Sequence, residues 1–135
     1  MTSLNPDKKI HVAVGVIINK SEQILLAKRP LNLHQGGKWE FPGGKVELNE
    51  TTSEALIREL KEEVNLDVSA SHPMMEIHHD YGDKQVFLDI HWVKNFSGIA
   101  TGAEGQEVLW VEKDDLIKYE FPEANKAIIT KILAE

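Results

Sequence analysis

From Ile10 to Ile18 the chain alternates, with Ile10, Val12, Val14, Val16 and Ile18 on one side and small or apolar residues between them. A period of two predicts a strand with at least one buried face. Asn19–Glu22 is polar, and QILLAK at 23–28 predicts a second strand, so the two are expected to pair as a hairpin. Asn32, Gly36 and Gly37 mark a loop over 30–38, and Trp39–Phe41 is a short extended piece stopped by Pro42, Gly43 and Gly44. Residues 74–79 and 86–93 read as further strands around a turn at Tyr81-Gly82-Asp83, and 108–111 as a short buried one. A Gly-containing loop covers 98–105, a helical turn 114–118, and Pro122 is placed to open a closing helix carrying Ile128, Ile129, Ile132 and Leu133.

The period changes to a helical one between Thr51 or Thr52, either of which can cap, and Val64. On that helix Leu56, Ile57, Leu60 and Val64 form an apolar arc. Glu59, Glu62 and Glu63 form a second arc beside it, and Glu54, Arg58 and Lys61 fill the rest. One side should pack on a sheet and its neighbour face a cleft. Asn65 falls at the position after the helix, where a left-handed backbone favours Gly or Asn. The glutamate arc is electrostatically awkward. Like charges at these spacings cost roughly 0.2–0.5 kcal/mol per pair, and Glu62 and Glu63 also sit at the negative end of the helix dipole. A divalent cation is the simplest compensating partner.

The 135 residues suffice for one domain with a substantial core, and 41% hydrophobic with 27% charged content is globular. No apolar run approaches a membrane span, and MTSLNPDKK carries no secretory pattern. The lack of cysteine excludes disulfides and thiolate zinc sites and fits a cytosolic protein. A net charge of −7 argues against gripping a nucleic-acid polymer, but not against a small phosphorylated ligand escorted by metal. His78 and His79, adjacent on a strand, point to opposite faces and are not expected to share an ion.

The stretch Gly44–Leu66 matches G-x5-E-x7-R-E-U-x-E-E-x-G-U (U aliphatic) at Gly44, Glu50, Arg58, Glu59, Leu60, Glu62, Glu63 and Leu66, with Asn65 in place of the final Gly. It resembles the Nudix box. Further segments carry the resemblance to the MutT-type 8-oxo-dGTP diphosphatases of that family over most of the chain. They are AVGVII at 13–18, Lys28-Arg29, His34, WEFPGGK at 39–45, EGQ at 104–106 and FPEAN at 121–125.

The resemblance implies an α+β Nudix fold, a mixed β-sheet sandwiched between α-helices, in a single domain over residues 1–135. It implies an enzyme that hydrolyses a nucleoside triphosphate to the monophosphate and pyrophosphate and cleanses the nucleotide pool of 8-oxo-dGTP; a cytoplasmic monomer is expected. Magnesium, or manganese, would be held by Glu59, Glu62, Glu63 and the Gly43 carbonyl. Glu59 is expected to take the proton from water, with Glu104 as contender, and Arg58 to pair with Glu50 and orient the glutamates. Arg29, His34 and the backbone of Glu40, Phe41, Pro42 and Gly43 would contact the nucleotide. The Phe41 ring would face the base, and Asn125 would read its edge. The alternatives are a relative acting on CTP or on nucleoside diphosphate sugars, and a non-catalytic nucleotide-sensing module.

Overall fold

The computed structural model of the protein describes residues 9–32 and 36–135. In chain order the elements are β1 (Lys9–Ile17), β2 (Gln23–Lys28), β3 (Trp39–Glu40), β4 (Gly43–Lys45), α1 (Thr52–Val64), β5 (Asp67–Asp80), β6 (Gln85–Ser97) and β7 (Val108–Glu112). Two 3-10 segments, Lys113–Lys118 and Glu123–Asn125, lead into α2 (Lys126–Ala134). A four-stranded sheet runs β4-β1-β6-β5 and a three-stranded sheet runs β3-β2-β7.

β1 is parallel to β6 and antiparallel to β4. Parallel neighbours need a long crossover, and α1 supplies it. The alternation in β1 serves two cores. Val14, Val16 and Ile18 point to the side of α2, where they meet Ile24, Leu26, Ile90, Ile128 and Ile132. Ala13 and Ile17 point to the side of α1, against Leu56, Leu60, Val64 and Val93. The sheets are therefore apolar on both faces and lie between the two helices.

The expected β1–β2 hairpin does not form. Both edges of β1 are taken by β4 and β6, which leaves β2 no ladder to join, and it pairs with β3 and β7 instead. One bridge, Ile18 to Ile24, survives at the turn, where the Asn19 carboxamide Oδ1 accepts from the N–H groups of Ser21 and Gln23 at 3.0 and 2.9 Å. β5 runs far beyond residues 74–79, because pairing with β6 draws in Ser69 to Pro73 through irregularities in register. Pro73 is tolerated because β5 is the outer strand of its sheet.

α1 begins with a capping box. The Thr51 hydroxyl accepts from the Glu54 N–H, and the Glu54 carboxylate accepts from the Thr51 N–H. It ends at Asn65, whose φ of 61° and ψ of 35° are left-handed as expected. Ala55, Leu56, Leu60 and Val64 are its buried residues, whereas Ile57 is 44% exposed at the margin of the apolar arc. A polar network staples the start of the helix to β6. Thr52 donates to Asp89 at 2.6 Å, His11 Nε2 lies 3.1 Å from the same carboxylate oxygen, and Ser71 joins His91 to Ser53. Burial lowers the His91 pKa against the opposing pull of Asp89, so the neutral ring belongs to this network.

The closing helix also departs from expectation. Pro122 keeps an extended ψ of 150°, a single 3-10 turn follows, and α2 starts only at Lys126. Phe121 stacks on Phe41 at 5.3 Å and anchors the chain just before this turn. Trp39 packs against the same core, edge-on to Tyr119.

Candidate active site

Arg58 organises the acidic helix. Its Nε and Nη2 donate to the two Glu50 oxygens at 2.8 and 2.9 Å, Nη1 donates to Glu59 at 2.8 Å, and Nη2 also reaches the Lys45 carbonyl at 3.0 Å. Glu62 stands 3.6 Å from Nη1. A bidentate carboxylate is the strongest partner a guanidinium finds, and it fixes the plane of the group as well as its place. These bonds hold the Glu50 carboxyl at about 2, well below its ordinary 4.5. Arg58 therefore orients Glu59 while Glu50 orients Arg58. Beneath Glu59 lies Gly44, and any Cβ there would occupy the space of the Glu59 carboxylate. A side chain at position 44 would thus shift the Glu59 carboxylate from the place in which Arg58 holds it.

Glu63, one turn further on, is pushed up to about 9. Burial is the largest cause, followed by a hydrogen bond to Glu59 and by repulsion from Glu59, Glu40 and Glu104. Four carboxyl groups from α1, β3 and the loop before β7 thus converge. Glu40 pairs with Arg29 at 2.6 Å, yet burial still raises its pKa. Among the described residues, no three acid or histidine side chains are already gathered as a metal-binding set. Repulsion at Glu63 acts over a longer range than ligation, so the site is crowded but not closed around an ion.

A cleft of about 510 Å³ opens beside this group. Glu63, Glu104, Glu40, Arg29, Gly43 and Gly44 line one part of it, and Asn125, Phe41, Pro122 and Ala124 another. The strands contribute Val12, Val14 and Leu88, and the β5–β6 turn contributes Tyr81. The residues expected to bind nucleotide are therefore largely brought together, over a span from Arg29 to Asn125. Asn125 sits at the cap position of α2 but makes no capping bond with its side chain. Phe41 is only 4% exposed, so its ring forms floor more than platform. The Pro42 carbonyl is engaged by the Gly15 N–H at 2.8 Å, and Pro42 is buried outside the cleft lining. Glu62 is also outside the lining, with its side chain 57% exposed beside Arg58. Glu59 and Arg58 do not line the cleft either. His34 lies outside the described residues.

Sequence reasoning missed the apolar wall. Tyr81, half exposed, reads as an ordinary turn residue, and Val12 and Leu88 as core. Alternation places Val12 and Val14 on one face of β1 and Leu88 on one face of β6, but only the pairing of the two strands joins those faces and sets them in one cleft with Asn125. His78 and His79 engage different rings, Phe87 and Tyr81, in keeping with opposite faces.

Residues 13–131 match the model of the NUDIX domain. The chain belongs to the Nudix family. A relative from Escherichia coli (strain K12) named 8-oxo-dGTP diphosphatase is 34% identical over 125 residues, 93% of this chain and 97% of its own. A second from the same organism, named CTP pyrophosphohydrolase, is 30% identical over 126 residues, 93% of each chain. Among solved structures, a MutT from the comparison of Aliivibrio salmonicida with Vibrio cholerae superposes with a TM-score of 0.83 at 39% identity. That match covers 94% of this chain and 98% of the other. The α+β sandwich is accordingly the Nudix fold, and the chain is a hydrolase of the Nudix type, a class that generally needs a divalent metal. Among the described residues no helix is long and apolar enough to cross a membrane.

Proposed function

We propose that the protein is a magnesium-dependent pyrophosphohydrolase that converts 8-oxo-dGTP to 8-oxo-dGMP and pyrophosphate, thereby keeping the oxidised nucleotide out of DNA. One observation carries the choice of substrate: the Asn125 carboxamide, not spent on capping α2, lines the same cleft as Glu63 and Glu104. A carboxamide offers one acceptor and two donors. Oxidation of guanine turns N7 into a donor beside the O6 acceptor, so one Asn satisfies both. Ordinary guanine presents two acceptors and leaves the Asn oxygen unmatched, at a cost of roughly 1–3 kcal/mol. Val12, Leu88 and Tyr81 would hold the faces of the base, and Phe41 would close the floor.

The triphosphate would then extend towards Arg29, Gly43 and Glu63. Carboxylates and a backbone carbonyl are hard oxygen donors, and Glu63 with Glu59 and the Gly43 carbonyl would suit magnesium or manganese. Bound there, the ion would neutralise phosphate charge and activate water. Glu62, exposed beside Arg58, would contribute from the rim of the site. Water adds to phosphorus, an anhydride bond breaks so that pyrophosphate departs, and a carboxylate takes the proton. Glu59 is held by Arg58 and by the proton of Glu63, whereas Glu104 lines the cleft on an exposed loop. That contrast favours Glu104 as the base and Glu59 as the oriented partner of the metal.

The CTP-hydrolysing relative supports a second reading, because cytosine pairs an amino donor with a ring acceptor and an Asn edge matches that pattern too. Steady-state turnover of 8-oxo-dGTP, dGTP and CTP with magnesium, following pyrophosphate, separates them. Preference for 8-oxo-dGTP is expected, equal rates on all three would reject the substrate assignment, and no release from any would reject the activity.

A further inference from the structure

The last carbonyls of a helix lack partners within the helix and must find donors elsewhere. In α1 those donors come from the loop that carries Glu104. The Thr101 N–H reaches the Val64 carbonyl and the Ala103 N–H the Glu63 carbonyl, both at 3.0 Å. The Glu63 carbonyl accepts a second bond, from Gln106 Nε2 at 2.9 Å. The other end of the same carboxamide, Gln106 Oε1, accepts from the Glu104 N–H at 3.0 Å.

We infer that Gln106 is a positioning residue, whose one carboxamide ties the backbone of Glu63 to that of Glu104 and so sets the separation of their side chains in the cleft. This rests on the hydrolytic reading of the cleft. The need for a tether is geometric: Glu104 is exposed on its loop, and without a bond at its own N–H the backbone there is free to turn the side chain out of the cleft. Backbone bonds hold residues 101 and 103, but Glu104 itself is fixed on its N–H by Gln106. The role demands a donor and an acceptor at the reach of a glutamine. Glu keeps the acceptor and sets a negative oxygen against the Glu63 carbonyl; Met keeps the length and loses both bonds.

The test is a double-mutant cycle in steady-state hydrolysis of 8-oxo-dGTP at saturating magnesium. Gln106→Met should lower kcat by about 10- to 100-fold, the scale on which outer-shell or sub-ångström displacements act, with KM changed by less than about threefold. With Glu104→Gln already in place, Gln106→Met should change kcat by no more than about twofold, because the group it positions is gone. Circular dichroism and the melting temperature report whether each variant is folded, and Gln106→Glu takes the place of Gln106→Met if the latter is not. An unchanged kcat, a loss confined to KM, or an equal loss in both backgrounds would overturn the assignment. The wild-type rate in the same assay keeps two failures apart. An inactive wild type sinks the hydrolytic reading, whereas an active wild type with an indifferent Gln106 sinks only this one.

Discussion

Replacing Glu63 by Gln isolates what the acidic cleft costs the fold when no cation is bound. Burial and the neighbouring carboxylates push the Glu63 carboxyl up to about 9 from an ordinary 4.5. The folded protein therefore keeps a proton that the unfolded chain releases. Stability from this group is fully present below the unfolded value and is lost as pH rises from about 4.5 towards 9. At about 1.4 kcal/mol per pH unit, the loss by pH 8 is at most about 5 kcal/mol. The cleft is open to water and its side chains reorganise, so about 1–3 kcal/mol is the expected gain when Gln removes the ionisable group. The carboxamide keeps the shape and a donor for Glu59. In EDTA, Glu63→Gln should melt roughly 3–10 °C above the wild type at pH 8 and close to it at pH 4.5. Thermal unfolding followed by far-ultraviolet circular dichroism at several pH values measures this. Magnesium should then stabilise the wild type at pH 8 and the variant much less, while pyrophosphate release by the variant is lost. A variant no more stable than wild type at pH 8, or a gap independent of pH, would refute the repulsion on which the argument stands.

Three other outcomes follow from the geometry. Asn125→Ala should reduce the preference for 8-oxo-dGTP over dGTP by about 10- to 100-fold, from the 1–3 kcal/mol of one mismatched polar contact, while turnover of dGTP is kept; an unchanged kcat/KM ratio removes Asn125 from base reading. Arg58→Lys keeps the charge but not the fork that grips Glu50, so turnover should fall by about 10- to 100-fold, and the Glu50 carboxyl should titrate closer to its ordinary value by NMR. Asn65→Ala should cost about 1–2 kcal/mol in urea unfolding, because its φ of 61° is left-handed, whereas Asn65→Gly should be neutral or slightly stabilising.

The helix and its chemistry were legible because their causes are local. The cap at Thr51, the left-handed stop at Asn65 and the arc of Glu59, Glu62 and Glu63 all lie within a few residues of what determines them. The errors arose where a distant partner decides. Nothing in residues 10–28 reveals that β4 and β6 flank β1 and turn β2 away. Nothing in Ser69–Pro73 announces a strand until β6 pairs with it. The fixed φ of Pro122 suits a helix start, but its ψ is extended and it follows Phe121, which is held on Phe41 in the distant core.

By itself, then, the chain order of side chains determined the elements, the acidic helix and the family. Periodicity and capping act over one or two turns, and a motif is a spacing. Only the tertiary structure decided which of those acids share a cleft, that Glu62 lies outside its lining, that Phe41 is buried, and that Tyr81 and Gln106 belong with them. The reason is physical: pKa shifts, desolvation and tethering depend on distances through space. Those distances are set by packing between elements that the chain holds far apart.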